Sequence, residues 1–151
     1  MVRKLNGLLN LVSAEPWPLF CSDSFVAVLK RSPVLIVNPD AALGRRLADS
    51  LASAGYDPTV VAGFEDALKM LKAEAFDVVV AAERLGTHNG LHLAIRARTE
   101  RPVVAIVTCT DPDRLLEIDA RELGATCLVA PWLNPADFLA VIGRLTGAAH
   151  V

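Results

Sequence analysis

The 151-residue sequence has little of what usually announces a particular chemistry. Its three cysteines, Cys21, Cys109 and Cys127, are far apart and include no Cys-x-x-Cys pair, which excludes the common zinc and dithiol redox patterns and fits a reducing compartment. The formal net charge is only -2 and no basic patch stands out, so there is no general attraction to nucleic acid or to an anionic membrane. No apolar run approaches the roughly 20 residues needed to cross a bilayer. The start, MVRKLNGLLNLVSA, has two basic residues and a short apolar stretch in the manner of a secretory signal, but Asn6 and Asn10 interrupt it. The expectation is a cytoplasmic protein with no membrane partner and no direct nucleic-acid partner.

Hydrophobic residues make up 53% of the chain and charged residues 21%, a balance that suits a packed globular protein, and the length suits one domain with a continuous core. Residues 1–31 differ in style from the rest: Pro16 and Pro18 flank Trp17, Phe20 and Phe25 follow, and no helical or strand period is sustained. They form an expected N-terminal appendage. Three readings stay open for it: an edge that docks on the domain, a start codon lying further downstream, or a partner-binding arm. The domain itself is expected over residues 32–147, followed by a tail at 148–151.

From Ser32 onward, β-branched runs alternate with amphipathic stretches, the pattern of βαβ units around a parallel sheet. Val34 to Val37 reads as the first strand. Asp40 is placed to cap a helix with Leu43, Leu47, Leu51 and Ala54 on its apolar face and Gly55 just past its end. A strand over Thr59 to Ala62 and a helix over Phe64 to Ala75 come next. The third strand, Asp77 to Ala82, carries the unbroken run Val78, Val79, Val80 of a strand covered on both faces. The rest reads as a loop Gly86 to Gly90, a helix to about Arg98, a strand Val103 to Thr108, a helix Pro112 to Leu123, a strand Cys127 to Ala130, and a last helix capped by Asn134 with Pro135 at its first position. Five strands and five helices result.

The stretches VLIVNPD, GYDPTVVAGFEDALKMLKAEAFDVVV, ERLGTHNG and GATCLVAPW, in this order and spacing, resemble a response-regulator receiver domain of the CheY-like superfamily. The resemblance covers Ser32 to Leu145 and implies a flavodoxin-like (βα)5 three-layer sandwich with a parallel five-stranded sheet of order 2-1-3-4-5. It also implies where phosphoryl chemistry should sit. Receivers hold magnesium with an acidic pair after the first strand and phosphorylate an aspartate after the third. Here the acidic pair falls on Asn38 and Pro39 and the acceptor on Ala82. The hydroxyl position falls on Thr108 and the lysine before a proline on Ala130; only Thr108 and Pro131 keep the family pattern. Magnesium needs hard oxygen donors, and Ala82 has no oxygen to phosphorylate. No magnesium or other cofactor is therefore expected, and no catalytic residue. Asp40 and Glu83 lie one residue beyond the expected acids, an offset expected to point them elsewhere. Asp40 is expected to act as a cap and Glu83 as a solvated loop residue.

Other candidates have plainer readings. His88 and His92 share a four-residue spacing that could serve a metal, but without a third ligand they read as two solvated histidines. Asn89-Gly90 reads as a turn. Gly86 stands where receivers often carry a proline, so the loop is expected to be looser. Cys109, at the mouth of the pocket, has no neighbouring cation in sequence and reads as an inert, half-buried thiol. Cys127 falls where many receivers have a switching aromatic.

On the helix after Pro112, Leu116, Ala120 and Leu123 read as the core stripe, with Leu115 and Ile118 to the side. On the last helix Phe138, Val141, Ile142 and Leu145 read as inward and Leu139 as outward. Leu115, Ile118 and Leu139 are thus the candidate interface, on the face receivers commonly use for dimers and partners. Two functions compete. One is a pseudo-receiver in signal transduction, not an enzyme, that binds a protein partner or a second copy through that face. The other is a small-molecule binder or enzyme that reuses the flavodoxin-like crevice. The strand ends supply no nucleophile with a base, no glycine-rich phosphate cradle and no carboxylate pair for the latter.

Overall fold

The computed structural model describes residues 31–147; the expected appendage, except Arg31, and the tail lie outside the described residues. Five strands form one parallel sheet: β1 (Pro33–Val37), β2 (Asp57–Val61), β3 (Val78–Ala82), β6 (Val104–Cys109) and β7 (Thr126–Val129), in the order β2-β1-β3-β6-β7. In chain order this is the expected 2-1-3-4-5, the flavodoxin-like arrangement. A small antiparallel hairpin, β4 (Arg84–Leu85) with β5 (His88–Asn89), is added beyond β3. The helices are α1 (Ala41–Ser53), α2 (Phe64–Ala73), α3 (Gly90–Glu100), α4 (Arg114–Glu122) and α5 (Pro135–Thr146), with a 3-10 turn at Pro131–Leu133.

The central strands are apolar throughout because both faces are covered. In β1, Val34 and Ile36 pack with Leu47, Leu51, Phe138 and Ile142 of α1 and α5. Leu35 and Val37 point the other way, onto Phe64, Ala67 and Leu71 of α2 and Leu93 and Ala97 of α3. This strict alternation splits the core into two layers. Each fully buried Val, Leu or Ile contributes about 1.5–3 kcal/mol, so the four β1 residues alone commit the strand to the sheet interior.

Several boundaries move from their expected places for local reasons. β2 begins at Asp57 and includes Pro58; a proline without an N–H is tolerated because β2 is an edge strand. α4 starts at Arg114 because Asp113 is its cap, accepting from the Leu116 amide at 3.1 Å. α2 ends at Ala73, with Glu74 as cap. β7 stops at Val129 because Ala130 turns into the left-handed region, at φ 43°.

Two helix faces are corrected. Leu139 is not outward: it is half-buried and packs against the core, while Leu145 is exposed. Gly143 is buried beside Ile142, so the contact stripe of α5 runs through the i, i+4 pair Leu139 and Gly143 as well as Phe138 and Ile142. Leu123 leaves the core stripe of α4 because the helix ends at Glu122 and the chain turns at Gly124. Ala54, expected on the apolar face of α1, is likewise its exposed end residue.

Candidate functional site

The strand ends are assembled by backbone constraints that the sequence only partly advertises. Asp40 caps α1, its Oδ1 accepting from the amides of Ala42 and Leu43 at 3.0 and 3.2 Å. Its own amide donates to Asn38 Oδ1 at 2.9 Å. The two residues after β1 are thereby locked into a tight turn at the sheet edge of the crevice. Across the sheet, Ala82 pairs with Thr108, and the Glu83 amide donates to the Thr108 carbonyl at 2.8 Å.

Asn89 and Gly90 are a helix start rather than a free turn. Asn89 Oδ1 accepts from the His92 amide at 2.8 Å and so caps α3. Gly90 is required there: a Cβ would fall on the Ala82 carbonyl oxygen, well inside van der Waals contact. The loop before it is a paired hairpin, with Leu85 buried and Gly86 at φ +70° making the turn.

These constraints frame a cavity of about 280 Å³ at the carboxyl ends of β1, β3 and β6, the position at which open parallel sheets bind ligands. Its lining residues are Asn38, Pro39, Asp40, Leu43, Ala82, Glu83, Arg84, Thr108, Cys109, Thr110 and Trp132. Four of the five expected positions, Asn38, Pro39, Ala82 and Thr108, therefore come together. Ala130 does not line this cavity. It borders a separate groove with Leu128, Asn134 and Phe138, and its amide donates to the Cys109 carbonyl at 2.7 Å. Trp132, two residues further on, lines the crevice instead and is 8% exposed. Sequence reasoning placed it near the strand ends without a role in the crevice; the compact 3-10 turn opened by Pro131 brings it round.

Glu83 also departs from expectation, since it is half-buried and lines the cavity. The pairing of its amide with Thr108 draws the segment after β3 across the crevice. Asp40 lines it too, but one of its oxygens is held by two backbone amides. Asp40 and Glu83 are the carboxylates in the lining, and Ala82 contributes no oxygen donor from its side chain. Among the described residues, no group of three or more His, Cys, Asp or Glu side chains could hold a metal ion.

The histidines are not simply solvated. The His88 ring stacks on Phe64, centroids 4.0 Å apart and 4° from parallel, and His92 tilts against the same ring at 5.4 Å. They tie the hairpin and α3 to the start of α2. Cys109 is buried, and its Sγ lies 3.9 Å from Cys127 Sγ on the neighbouring strand. Burial raises the Cys109 pKa, with the hydrogen bond to Cys127 partly opposing it. Burial, then the proximity of Cys109, pushes Cys127 up to about 12. Both are protonated near neutral pH, in keeping with the inert thiol expected at Cys109.

On the far side, Leu115 is 75% exposed and Ile118 40%, as their helical positions predict. Val129 of β7 and Leu145 of α5 are exposed as well. Among the described residues, no helix is long and apolar enough to cross a membrane.

No family model matches the sequence, and no curated protein matches it. Solved structures do match. A CheY-like response regulator receiver domain protein from Methanospirillum hungatei superposes with a TM-score of 0.72 at 22% identity, over 79% of this chain and 96% of that one. The signal receiver domain of an HD domain-containing protein from Pseudomonas fluorescens gives 0.71 at 24%, over 80% and 98%. A two-component response regulator from Clostridium difficile gives 0.71 at 17%, over 76% and 95%. At these identities the likeness is one of fold, and the strand order and helix placement agree with it: the chain has the flavodoxin-like α/β fold of CheY-like receiver domains.

Proposed function

We propose that this chain is a pseudo-receiver: a signalling module of the two-component type that works without phosphorylation, by binding a protein partner or a second copy of itself. The observation that carries this reading is Ala82. It stands at the end of the central strand opposite Thr108, bordering the crevice, and a methyl group can neither accept a phosphoryl group nor coordinate a metal. The absence of a lysine at Ala130 supports the same reading, because no ammonium is available from that position to pair with a phosphoryl oxygen. On this reading the protein is not an enzyme, takes no magnesium and acts in the cytoplasm without direct contact to nucleic acid.

The working surface is then the outer side of α4, β7 and α5. Leu115 and Ile118, with Val129 and Leu145, are large apolar side chains exposed on these elements. Leu139, which packs inward, is no part of it.

The experiment combines two measurements on the full chain. Incubation with acetyl phosphate and magnesium, followed by intact-mass spectrometry, is expected to give no phosphoryl adduct. Sedimentation of the wild type against a Leu115→Asp, Ile118→Asp double variant is expected to show self-association lost in the variant. Stoichiometric phosphate uptake, abolished by replacing one residue such as Glu83 with Gln, would overturn the reading.

A further inference from the structure

Among the described residues only two polar side chains are buried, Asn38 at 5% and Thr108 at 2% exposure, and both line the same crevice. Asn38 Oδ1 is used by the Asp40 amide, which leaves both hydrogens on Nδ2 without an acceptor among the described residues. The Thr108 hydroxyl likewise makes no hydrogen bond with any of them. Proteins rarely leave such groups unmatched, because burying a polar group without a partner is unfavourable. Here two of them converge on a cavity of about 280 Å³, near the lower end of the range for small-molecule clefts.

The surroundings narrow the chemistry. The buried part of the lining is neutral: beside Asn38 and Thr108 it contains Cys109 and Trp132, and Leu43 and Ala82 are half-buried. The charged residues, Asp40, Glu83 and Arg84, are less buried and carry both signs. A ligand charge placed against Asn38 and Thr108 would have no buried counter-charge. A purely apolar ligand would leave the amide and hydroxyl without partners. What fits is a neutral group with a strong acceptor, carried on a small flat frame that leucine, alanine and indole surfaces can cover.

We propose that the crevice is a binding site for a small neutral ring compound bearing a carboxamide or lactam. Its carbonyl oxygen accepts from Asn38 Nδ2 and the Thr108 hydroxyl, and its ring lies against Leu43, Ala82 and Trp132. The site does not depend on the protein-binding reading, since none of its lining residues belongs to that surface and it requires no phosphoryl transfer.

Two of the groups can be watched directly, because the Asn38 side-chain amide and the Trp132 indole N–H both give signals in a nitrogen–proton correlation spectrum of the labelled full chain; a Trp132→Phe variant assigns the latter against Trp17. Nicotinamide, 2-pyridone and uracil are titrated as neutral probes to about 10 mM, a range that detects millimolar binding, with nicotinate as the charged counterpart of nicotinamide. At least one neutral probe is expected to shift both signals saturably and nicotinate to leave them in place. Thr108→Val, which keeps the side-chain shape and deletes the hydroxyl, is expected to weaken binding about tenfold, the loss of one hydrogen bond. Its unshifted signals remote from the crevice report that the fold is kept. The proposal is overturned if all three neutral probes leave the two signals unmoved, so that the groups are merely hydrated. It is equally overturned if nicotinate binds as well as nicotinamide, or if Thr108→Val binds like the wild type.

Discussion

In the turns after the strands, Gly90 has no room for a Cβ, Ala130 is held at φ 43°, and Asp40 is fixed as a helix cap; on the outer side of α4, β7 and α5, Leu115 and Ile118 project with 75% and 40% of their surface exposed. The first region is defined by backbone positions that admit few alternatives, the second by side chains under almost no packing constraint. The contrast teaches that backbone geometry fixes the frame of the strand ends while exposed side chains on the outer helices are left free to vary. The turn after β1, the close approach of α3 to β3 and the turn before Pro131 hold the fold together whether or not position 82 bears a carboxylate.

The contrast is broken most sharply at Gly90. Gly90→Ala drives a methyl group into the Ala82 carbonyl, and a loss of about 2–4 kcal/mol in urea-unfolding free energy is expected, typical of overpacking against rigid backbone. A loss under about 0.5 kcal/mol would mean that the α3 start yields easily and the frame is not rigid. At Ala130 the change goes the other way. A left-handed alanine carries a penalty of about 1–2 kcal/mol that glycine avoids, partly offset by glycine's greater freedom in the unfolded chain, so Ala130→Gly is expected to raise stability by about 0.5–1 kcal/mol.

A pH titration probes the strands that link the two regions. Cys127 is held up at about 12 against an ordinary value of 9.0, and Cys109 is shifted in the same direction. Because the folded state keeps protons that the unfolded state releases, the contribution of these thiols is complete below pH 9 and is lost as pH rises from about 9 toward 12. Equilibrium unfolding is expected to weaken over that window, and a Cys127→Ala variant to show a shallower decline; equal slopes would show that this thiol ionises as freely in the folded protein as outside it. Smallest of all is Leu115→Ser. The residue is so exposed that stability is expected to change by no more than about 0.5 kcal/mol, in thermal or urea unfolding at a concentration where the protein is monomeric.

Much of the fold was legible in the sequence because the signals are local and strong. Val34 to Val37 and Val78 to Val80 are apolar runs that only a doubly covered strand accommodates, and Asp40 and Asn134 cap their helices as their positions predicted. The face of α5 was misread because Leu139 and Leu145 are equally apolar, and the burial of Gly143, a residue with no side chain to signal it, decides which of them turns inward. His88 and His92 looked solvated because their partner, Phe64, is more than twenty residues away in sequence. Asn38, Pro39, Ala82 and Thr108 line one cavity because each lies at or just past a strand end, a place that the strand pattern made legible. Glu83 was read as solvated and Trp132 was given no part in the crevice because the turns that carry them in are set by backbone hydrogen bonds, not by any pattern of residue types.

By itself, then, the sequence determined the number, kind and order of the main elements and the residue types at the strand ends, since hydrophobic period, caps and glycine positions act over a few residues. Only the tertiary structure decided which polar groups share a buried space. Asn38, Thr108 and Trp132 are separated by tens of residues along the chain, and their meeting around one cavity depends on sheet register and on the turn through Ala130, where long-range packing outweighs local preference.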